Sequence, residues 1–215
     1  MFSHTEVDDY LVGVLHAPDP ILDASLARSD AAGLPPIGVA PNQGKLLLLM
    51  AQMVGARRIL EIGTLAGYST IWLARALPEG GRLVTLEIDP RHAAVARQSF
   101  EAAGLAERID VKVGPALETL PTLEGPFDFV FIDADKVSCP PYFEHALRMA
   151  RPGTVIVIDN TVRGGAVLDA TSTDPSVLGI RRLHELLQTE RRVDATAIQT
   201  VGSKGHDGFT VARVR

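Results

Sequence analysis

Strand-like and helix-like segments alternate between residues 57 and 159, and this alternation restricts the fold more than any other feature. The predicted strands are rich in Val, Ile, Leu and Phe and cover residues 57–63, 82–88, 109–114, 127–133 and 154–159. The predicted helices between them cover residues 68–77, a segment that opens at Asp89 and Pro90, the PALETL segment (115–120) and residues 141–150. Strands joined by crossover helices form a mostly parallel sheet with helices on both faces.

The carboxyl-terminal segment breaks this alternation. A helix is predicted at residues 176–190, followed by a strand at 193–200, a glycine-rich loop VGSKGHDG (201–208) and a strand at 209–214. Because a connection this short permits only a hairpin, the last two strands are expected to be antiparallel.

Three helices are predicted before the first strand. Ser3 can cap the first, whose apolar residues follow helical spacing, and the others cover residues 20–31 and 42–54. We expect one domain over all 215 residues, with residues 1–56 as a helical cap and residues 57–215 as the sheet core. The apolar amino-terminal helices suit the interface of a homodimer.

Composition excludes several classes of protein. Hydrophobic residues make up 46% and charged residues 22%, as in an ordinary globular protein, and the net charge of −5 argues against a nucleic-acid-binding surface. The single cysteine, Cys139, rules out an intrachain disulfide and a multi-cysteine metal cluster. The chain begins without the basic segment of a signal peptide, and no apolar run is long enough to span a bilayer. We therefore expect a cytoplasmic protein without a membrane partner, and no nucleic-acid partner.

The exit of the first strand, EIGTLAGYS (61–69), indicates a nucleoside ligand without a diphosphate. The dinucleotide fingerprint would need glycine at position 65, which is Leu65, and the P-loop ending is absent. Glu87 ends the second strand 20 residues beyond Gly67, where an acid suits the two hydroxyls of a ribose. A carboxylate at Glu61 suits an ammonium or sulfonium better than a phosphate. S-adenosylmethionine fits this description, and NAD does not.

Two further strands end in oxygen-bearing side chains. FDFVFIDADKV (127–137) runs from a buried strand into Asp133, and TVIVIDN (154–160) ends in Asp159 and Asn160. Either stretch alone is equally well explained by a solvated turn, but the pair predicts a cation site. Hard oxygens without sulfur or imidazole favour Mg²⁺, Mn²⁺ or Ca²⁺ over zinc.

The motifs EIGTLAGYS, LEIDP, VGPALETL, FIDADK and VIDN, in this order, resemble those of the cation-dependent small-molecule O-methyltransferases, the relatives of catechol and caffeoyl-CoA O-methyltransferases. The resemblance covers about residues 37 to 215. It implies the Rossmann-like α/β fold of class I methyltransferases, with a seven-stranded, mostly parallel sheet and an antiparallel carboxyl-terminal hairpin strand. This agrees with the predicted hairpin.

The resemblance also implies an S-adenosylmethionine site. Glu87 would bind the ribose, Ala116 would contact the adenine, and Val39 would touch the methionine part through its backbone. The residues that the resemblance assigns to the cofactor are Val39, Glu61, Gly63, Thr64, Ser69, Glu87, Ala116, Asp133 and Asp135.

For catalysis, the resemblance assigns Asp133, Asp159 and Asn160 to a divalent cation, with Mg²⁺ expected. The acceptor would be a small hydroxylated aromatic molecule with two vicinal oxygens, such as a catechol. Lys136 would take the proton of the hydroxyl to be methylated, since a lysine beside a divalent cation should have a lowered pKa. Asp133 completes the catalytic pair. Arg163 is a candidate contact for a polar or anionic acceptor.

Three alternatives stay open at this point. One is a tRNA methyltransferase that acts on a hydroxylated uridine, against which the acidic balance counts. The second is a nicotinamide-dependent dehydrogenase, which Leu65 disfavours. The third is a non-catalytic cofactor-binding protein, which the presence of Asp133, Lys136, Asp159 and Asn160 disfavours.

Overall fold

The computed structural model describes residues 2–215. Its α-helices in this range are α1 (His4–Leu15), α2 (Pro20–Ala31), α3 (Pro41–Met53), α4 (Tyr68–Ala76), α5 (Pro90–Ala102), α6 (Ala116–Thr119), α7 (Cys139–Arg148) and α8 (Pro175–Thr189). Its strands are β1 (Arg58–Ile62), β2 (Arg82–Glu87), β3 (Ile109–Val113), β4 (Phe127–Ile132), β5 (Ala150–Asp159), β6 (Val193–Gly202) and β7 (Gly205–Val214). No helix in the described range is long and apolar enough to cross a membrane.

The strands form one seven-stranded sheet in the order β3-β2-β1-β4-β5-β7-β6. The pairs from β3 to β5 are parallel, and β7 is antiparallel to both β5 and β6. The predicted sheet, including its antiparallel hairpin strand, is thus confirmed.

Both faces of the sheet are covered by helices, which explains why its central strands are almost wholly apolar. Phe129 and Phe131 of β4 belong to the core on the face of α3, α4 and α5. Val130 and Ile132, which alternate with them, belong to the core on the face of α7 and α8. Side chains that leave these buried strands at their carboxyl ends therefore meet at one edge of the sheet.

The strand order reverses between β1 and β4. In open parallel sheets such a reversal opens a crevice beyond the carboxyl ends of the strands, and ligands bind there. One side of this crevice is bounded by the ends of β2 and β3, and the other by the ends of β4 and β5. The two halves of the predicted site therefore lie on opposite sides of the reversal.

The hairpin is longer than predicted. Strands β6 and β7 continue through the segment expected to be a loop and are joined by a tight turn at Ser203 and Lys204. Most of β6 is exposed, so its sequence lacks the apolar alternation of a covered strand, and the glycines suggested a loop instead.

Helix α1 forms where it was expected, with a capping box between Ser3 and Glu6. None of its residues is buried, and Val14 and Leu15 are 62% and 70% exposed. The helically spaced apolar residues of α1 therefore form an exposed apolar face and do not belong to the core.

Candidate active site

A cavity of about 740 Å³ occupies the crevice at the reversal of strand order. The sequence-predicted residues that line it are Val39, Gly63, Thr64, Ser69, Glu87, Ala116, Asp133, Asp135, Lys136 and Asn160. Glu61 and Asp159 lie behind this lining, at 0% and 5% exposure. The structure thus brings the predicted residues together around one space, with the carboxylates of Glu61 and Asp159 behind its lining.

The carboxylate of Glu87 organises the turn after β1. Its Oε2 accepts hydrogen bonds from the backbone N–H groups of Thr64 (3.2 Å) and Leu65 (2.7 Å), and its Oε1 accepts one from Asp89 (2.9 Å). Nδ1 of His92 lies 3.5 Å from the same Oε1. The acid expected at the ribose is therefore fixed in position by the backbone.

Glu61 lies beneath the cavity and is held by hydroxyl groups. Ser69 donates to its Oε1 at 2.7 Å, and Thr85 and Thr70 donate to its Oε2. Burial raises the pKa of Glu61 to about 7, although these hydroxyls act in the opposite direction. Of these residues Ser69 lines the cavity, so in this structure Glu61 meets the ligand space through Ser69.

The two glycines of EIGTLAGYS are required by the fold itself. A Cβ on Gly63 would lie 1.9 Å from the carbonyl oxygen of Asp133, and one on Gly67 would lie 2.3 Å from the ring of Phe100. Both residues also have positive φ, at 100° and 85°. Tight packing of the chain explains these glycines without a ligand.

Lys136 and Asp133 form an ion pair on the other side of the cavity, in which the lysine is buried and the aspartate is half-buried. The ammonium Nζ donates to Oδ1 of Asp133 at 2.8 Å, and Lys136 is 7% exposed. Burial acts to lower the pKa of Lys136, but the charge of Asp133, its hydrogen bond and the charge of Asp159 outweigh it, so the pKa is raised. The protein's own groups therefore raise the pKa of Lys136, and the predicted lowering would have to come from a bound cation.

Asp159 and Asn160 complete the group that the sequence assigned to a metal. Burial and the nearby charge of Asp133 together raise the pKa of Asp159 to about 7. Asn160 has a φ of 55° and donates its backbone N–H to Oδ1 of Asp159 at 2.8 Å. Asn160 itself lines the cavity.

These side chains fit a hard divalent cation. The buried carboxylate of Asp159 and the half-buried one of Asp133 repel each other beside one lysine, and the amide of Asn160 adds a third oxygen donor, which is the donor set that Mg²⁺ prefers. No group of three His, Cys, Asp or Glu side chains in residues 2–215 has a metal-binding arrangement. The proposed group has only two such side chains, because its third oxygen donor is the amide of Asn160. The metal site therefore stays a prediction.

Asp135 has both carboxylate oxygens engaged within the protein. Oδ1 accepts the backbone N–H of Ser138 at 2.9 Å, and Oδ2 accepts the hydroxyl of Tyr142 at 2.6 Å. Burial acts to raise the pKa of Asp135, but these hydrogen bonds outweigh it and the pKa is lowered. Asp135 therefore fixes the start of α7 at the cavity wall.

Arg163, the candidate acceptor contact, does not line the cavity, and neither do His206 and Cys139. Nη1 of Arg163 lies 3.9 Å from Asp207, which makes this arginine a weak candidate for the acceptor. Nε2 of His206 lies 2.9 Å from the side-chain oxygen of Gln199. Cys139 is fully buried, and burial raises the pKa of its thiol to about 12.

Several lining residues escaped the sequence reasoning. Helix α2 contributes Ser25, Ser29 and Asp30, and the hairpin turn contributes Lys204. No motif marks these positions, because they reach the cavity through the packing of distant segments. The position of His92 could have been inferred, because it lies in the first turn of the helix that Asp89 caps at the carboxyl end of β2.

Comparisons with known proteins agree with this architecture. A family model described as O-methyltransferase matches residues 20–214. A catechol O-methyltransferase from Mycobacterium tuberculosis is 55% identical over 211 residues, which cover 98% of this chain and 96% of that protein. The crystal structure of an O-methyltransferase from Bacillus cereus in complex with SAH has a TM-score of 0.97 at 55% identity and covers 99% of this chain and 98% of its own.

A further solved structure is TomG from Streptomyces achromogenes, an O-methyltransferase in complex with SAM. It has a TM-score of 0.96 at 48% identity and covers 100% of this chain and 99% of its own. The predicted class of enzyme, an S-adenosylmethionine-dependent O-methyltransferase with the class I fold, is confirmed by these likenesses over nearly the whole chain. The chain belongs to the O-methyltransferase family.

Proposed function

We propose that the protein transfers the methyl group of S-adenosylmethionine to one hydroxyl of a small catechol-like acceptor, with the help of a divalent cation. The observation that carries the proposal is the group of polar side chains at the ends of β4 and β5, in which Lys136 and Asp159 are buried and Asp133 and Asn160 are half-buried. Lys136 and Asp133 pair there at 2.8 Å, and Asp159 and Asn160 adjoin them. A fold has little reason to bury such a group unless a ligand completes it.

The cofactor half of the proposal rests on the β1–β2 side of the cavity. Glu87 is held by three backbone amides in a position that suits a ribose, and Ser69 presents a hydroxyl fixed by Glu61. Val39 and Ala116 line the same space, as expected for contacts to the methionine and adenine parts. Related proteins have been solved with SAH and SAM, which supports S-adenosylmethionine as the methyl donor.

In the acceptor half, Asp133 holds Nζ of Lys136 at the cavity wall, where the lysine could receive the proton of the acceptor hydroxyl once a bound cation offsets the charge of Asp133. A bound divalent cation would supply the positive charge that lowers the pKa of this hydroxyl and so favours the phenolate. Asp133, Asp159 and Asn160 would hold the cation. Transfer then depends mainly on how the protein positions the acceptor oxygen against the donor methyl group.

A small hydroxylated aromatic acceptor is supported by the relatives named catechol O-methyltransferase. A tRNA acceptor is the second reading, and the net charge of −5 counts against it. The test is transfer of labelled methyl from S-adenosylmethionine, with Mg²⁺ present, to catechols, monophenols and bulk tRNA in parallel. We expect the label to be transferred to catechols. Transfer to tRNA and none to catechols would contradict the proposal.

A homodimer is the proposed assembly. Four apolar or aromatic side chains of the amino-terminal segment are each more than half exposed: Phe2, two residues before helix α1, and Tyr10, Val14 and Leu15 within it. Light scattering after size exclusion should give twice the chain mass, and Val14→Glu should shift it towards the monomer. A monomeric mass for the wild type at micromolar concentration would contradict this assembly.

A further inference from the structure

We propose that Lys204 selects acceptors that carry a carboxylate at the end opposite their vicinal hydroxyls. The inference rests on the proposed function and names the substrate class of the same site. Lys204 lies in the turn of the β6–β7 hairpin and lines the main cavity together with Lys136 and Asn160.

The sheet order places Lys204 on the acceptor side of the cavity. Strand β7 pairs with β5, where Phe209 lies opposite Asp159, and the hairpin turn continues beyond the end of β5. The proposed ribose and adenine contacts follow β2 and β3, on the other side of the reversal in strand order. A ligand group that meets Lys204 therefore belongs to the acceptor and not to the nucleoside.

Lys204 is held in place by contacts that leave it free to bind an anion. Its Nζ donates to the carbonyl oxygen of Pro36 at 3.1 Å, which occupies one of the three N–H groups of an ammonium. The turn itself is anchored by Asp8, whose Oδ2 accepts the backbone N–H of Ser203 at 2.7 Å and whose Oδ1 accepts from Asn42 at 3.0 Å. An anchored turn loses little freedom when it binds a ligand.

The charge of Lys204 also distinguishes it from the other lysines. Lys136 pairs with Asp133, Lys112 pairs with Asp110 at 2.9 Å, and Lys45 lies over the ring of Trp72. Within the described residues Lys204 has no carboxylate at ion-pair distance, and its one recorded partner is a neutral carbonyl. It is a cation at a cavity wall whose counter-charge is not supplied by the protein.

The hydroxyl end of the cavity does not by itself distinguish an acid from its neutral ester. Lys136 and the proposed cation would offset the charges of Asp133 and Asp159 there, so neither form of the acceptor is favoured at that end. Lys204 supplies a positive group elsewhere in the cavity, where it can meet the carboxylate of an acceptor whose hydroxyls bind near Lys136. Lys204 thus fixes which acceptors enter and in which orientation.

The test compares 3,4-dihydroxybenzoate with its methyl ester, and 3,4-dihydroxycinnamate with its methyl ester, under S-adenosylmethionine and Mg²⁺. In Lys204→Gln, which keeps a donor for Pro36, we expect kcat/KM for the acids to fall about 10-fold through KM, while the esters change less than about twofold. Lys204→Glu should lower kcat/KM for the acids further, and Lys204→Arg should keep it near the wild-type value. The loss should shrink as salt screens the contact.

Lys112→Gln is the matched control, because it removes the same charge at a distant exposed pair and should leave the ratio of acid to ester unchanged. If kcat/KM falls equally for acids and esters in Lys204→Gln, Lys204 has only a structural role; this would overturn the inference but not the proposed function. If kcat/KM changes for neither the acids nor the esters, the inference is overturned as well. If the wild type methylates neither acids nor esters, the proposed function fails and the inference fails with it.

Discussion

The ammonium of Lys136 lies 2.8 Å from the carboxylate of Asp133, in a wall where the lysine is 7% exposed. This contact is among the protein groups that raise the pKa of Lys136. A lysine in that state holds its proton. The proposed role as proton acceptor therefore requires that the charge of Asp133 be neutralised by another ligand, and the cation proposed at Asp133 would do so.

Lys136→Ala should lower kcat about 10²–10⁴-fold, the usual contribution of a positioned proton-transfer group. Lys136→Arg should also fail, because a guanidinium stays protonated at any working pH. Cofactor affinity should be unchanged in both variants, since Glu87 and Ser69 lie across the cavity. The measurement is kcat against pH with one weakly acidic catechol, and wild-type rates in Lys136→Ala near neutral pH would remove the lysine from the mechanism.

Glu87→Gln should weaken binding of the demethylated cofactor by roughly 1.5–3 kcal/mol, because it removes the charge that accepts hydrogen bonds at the ribose site. The variant keeps one acceptor oxygen for the amides of Thr64 and Leu65, so the turn after β1 is retained. Calorimetry with the wild type, Glu87→Gln and the exposed control Glu107→Gln gives the comparison. Tight NAD binding, or equal affinity in all three proteins, would contradict the cofactor site.

Glu61 predicts a pH dependence of stability in the protein without cofactor. Its folded pKa of about 7 lies above the ordinary 4.5, so its contribution is fully present below pH 4.5 and is lost as pH rises through 7. The loss amounts to up to about 3 kcal/mol. Glu61→Gln should remove this pH-dependent contribution. The free energy of unfolding of the variant, relative to that of the wild type, should therefore increase from pH 5 to pH 8.

Urea unfolding in EDTA at both pH values measures this difference. Asp159, whose pKa is also raised to about 7, leaves a dependence of the same sign in the Glu61→Gln variant. The exposed control Glu101→Gln should follow the wild type at each pH. Parallel curves for wild type and Glu61→Gln would show that the Glu61 carboxyl does not gain its proton on folding.

The sequence predicted the features that depend on local rules. Strand ends, helix caps and the parallel order follow from apolar runs, capping residues such as Asp89 and crossover lengths, and these place Glu87, Asp133 and Asn160 at one edge of the sheet. The same rules predicted the cavity itself, because ligands of such sheets bind at the reversal of strand order.

The remainder depends on long-range packing that no local pattern encodes. Glu61 is in register with Phe131 on the neighbouring strand, so it is buried under α4 and meets the cavity only through Ser69. Lys204 joins the site because the hairpin extends past the covered sheet and its turn contacts Pro36, in the segment between α2 and α3. An exposed strand with glycines carries no apolar alternation, and a sequence therefore does not show how far it runs.

The central claim is that the group at the ends of β4 and β5 binds a cation that transfer requires. The most direct measurement is the initial rate of methyl transfer to catechol by EDTA-stripped protein, before and after Mg²⁺ is added back, in the wild type and in Asp159→Ala. We predict that the stripped wild type is inactive, that Mg²⁺ restores it, and that Asp159→Ala stays inactive while it still binds the cofactor. Full activity in the stripped wild type would contradict the account.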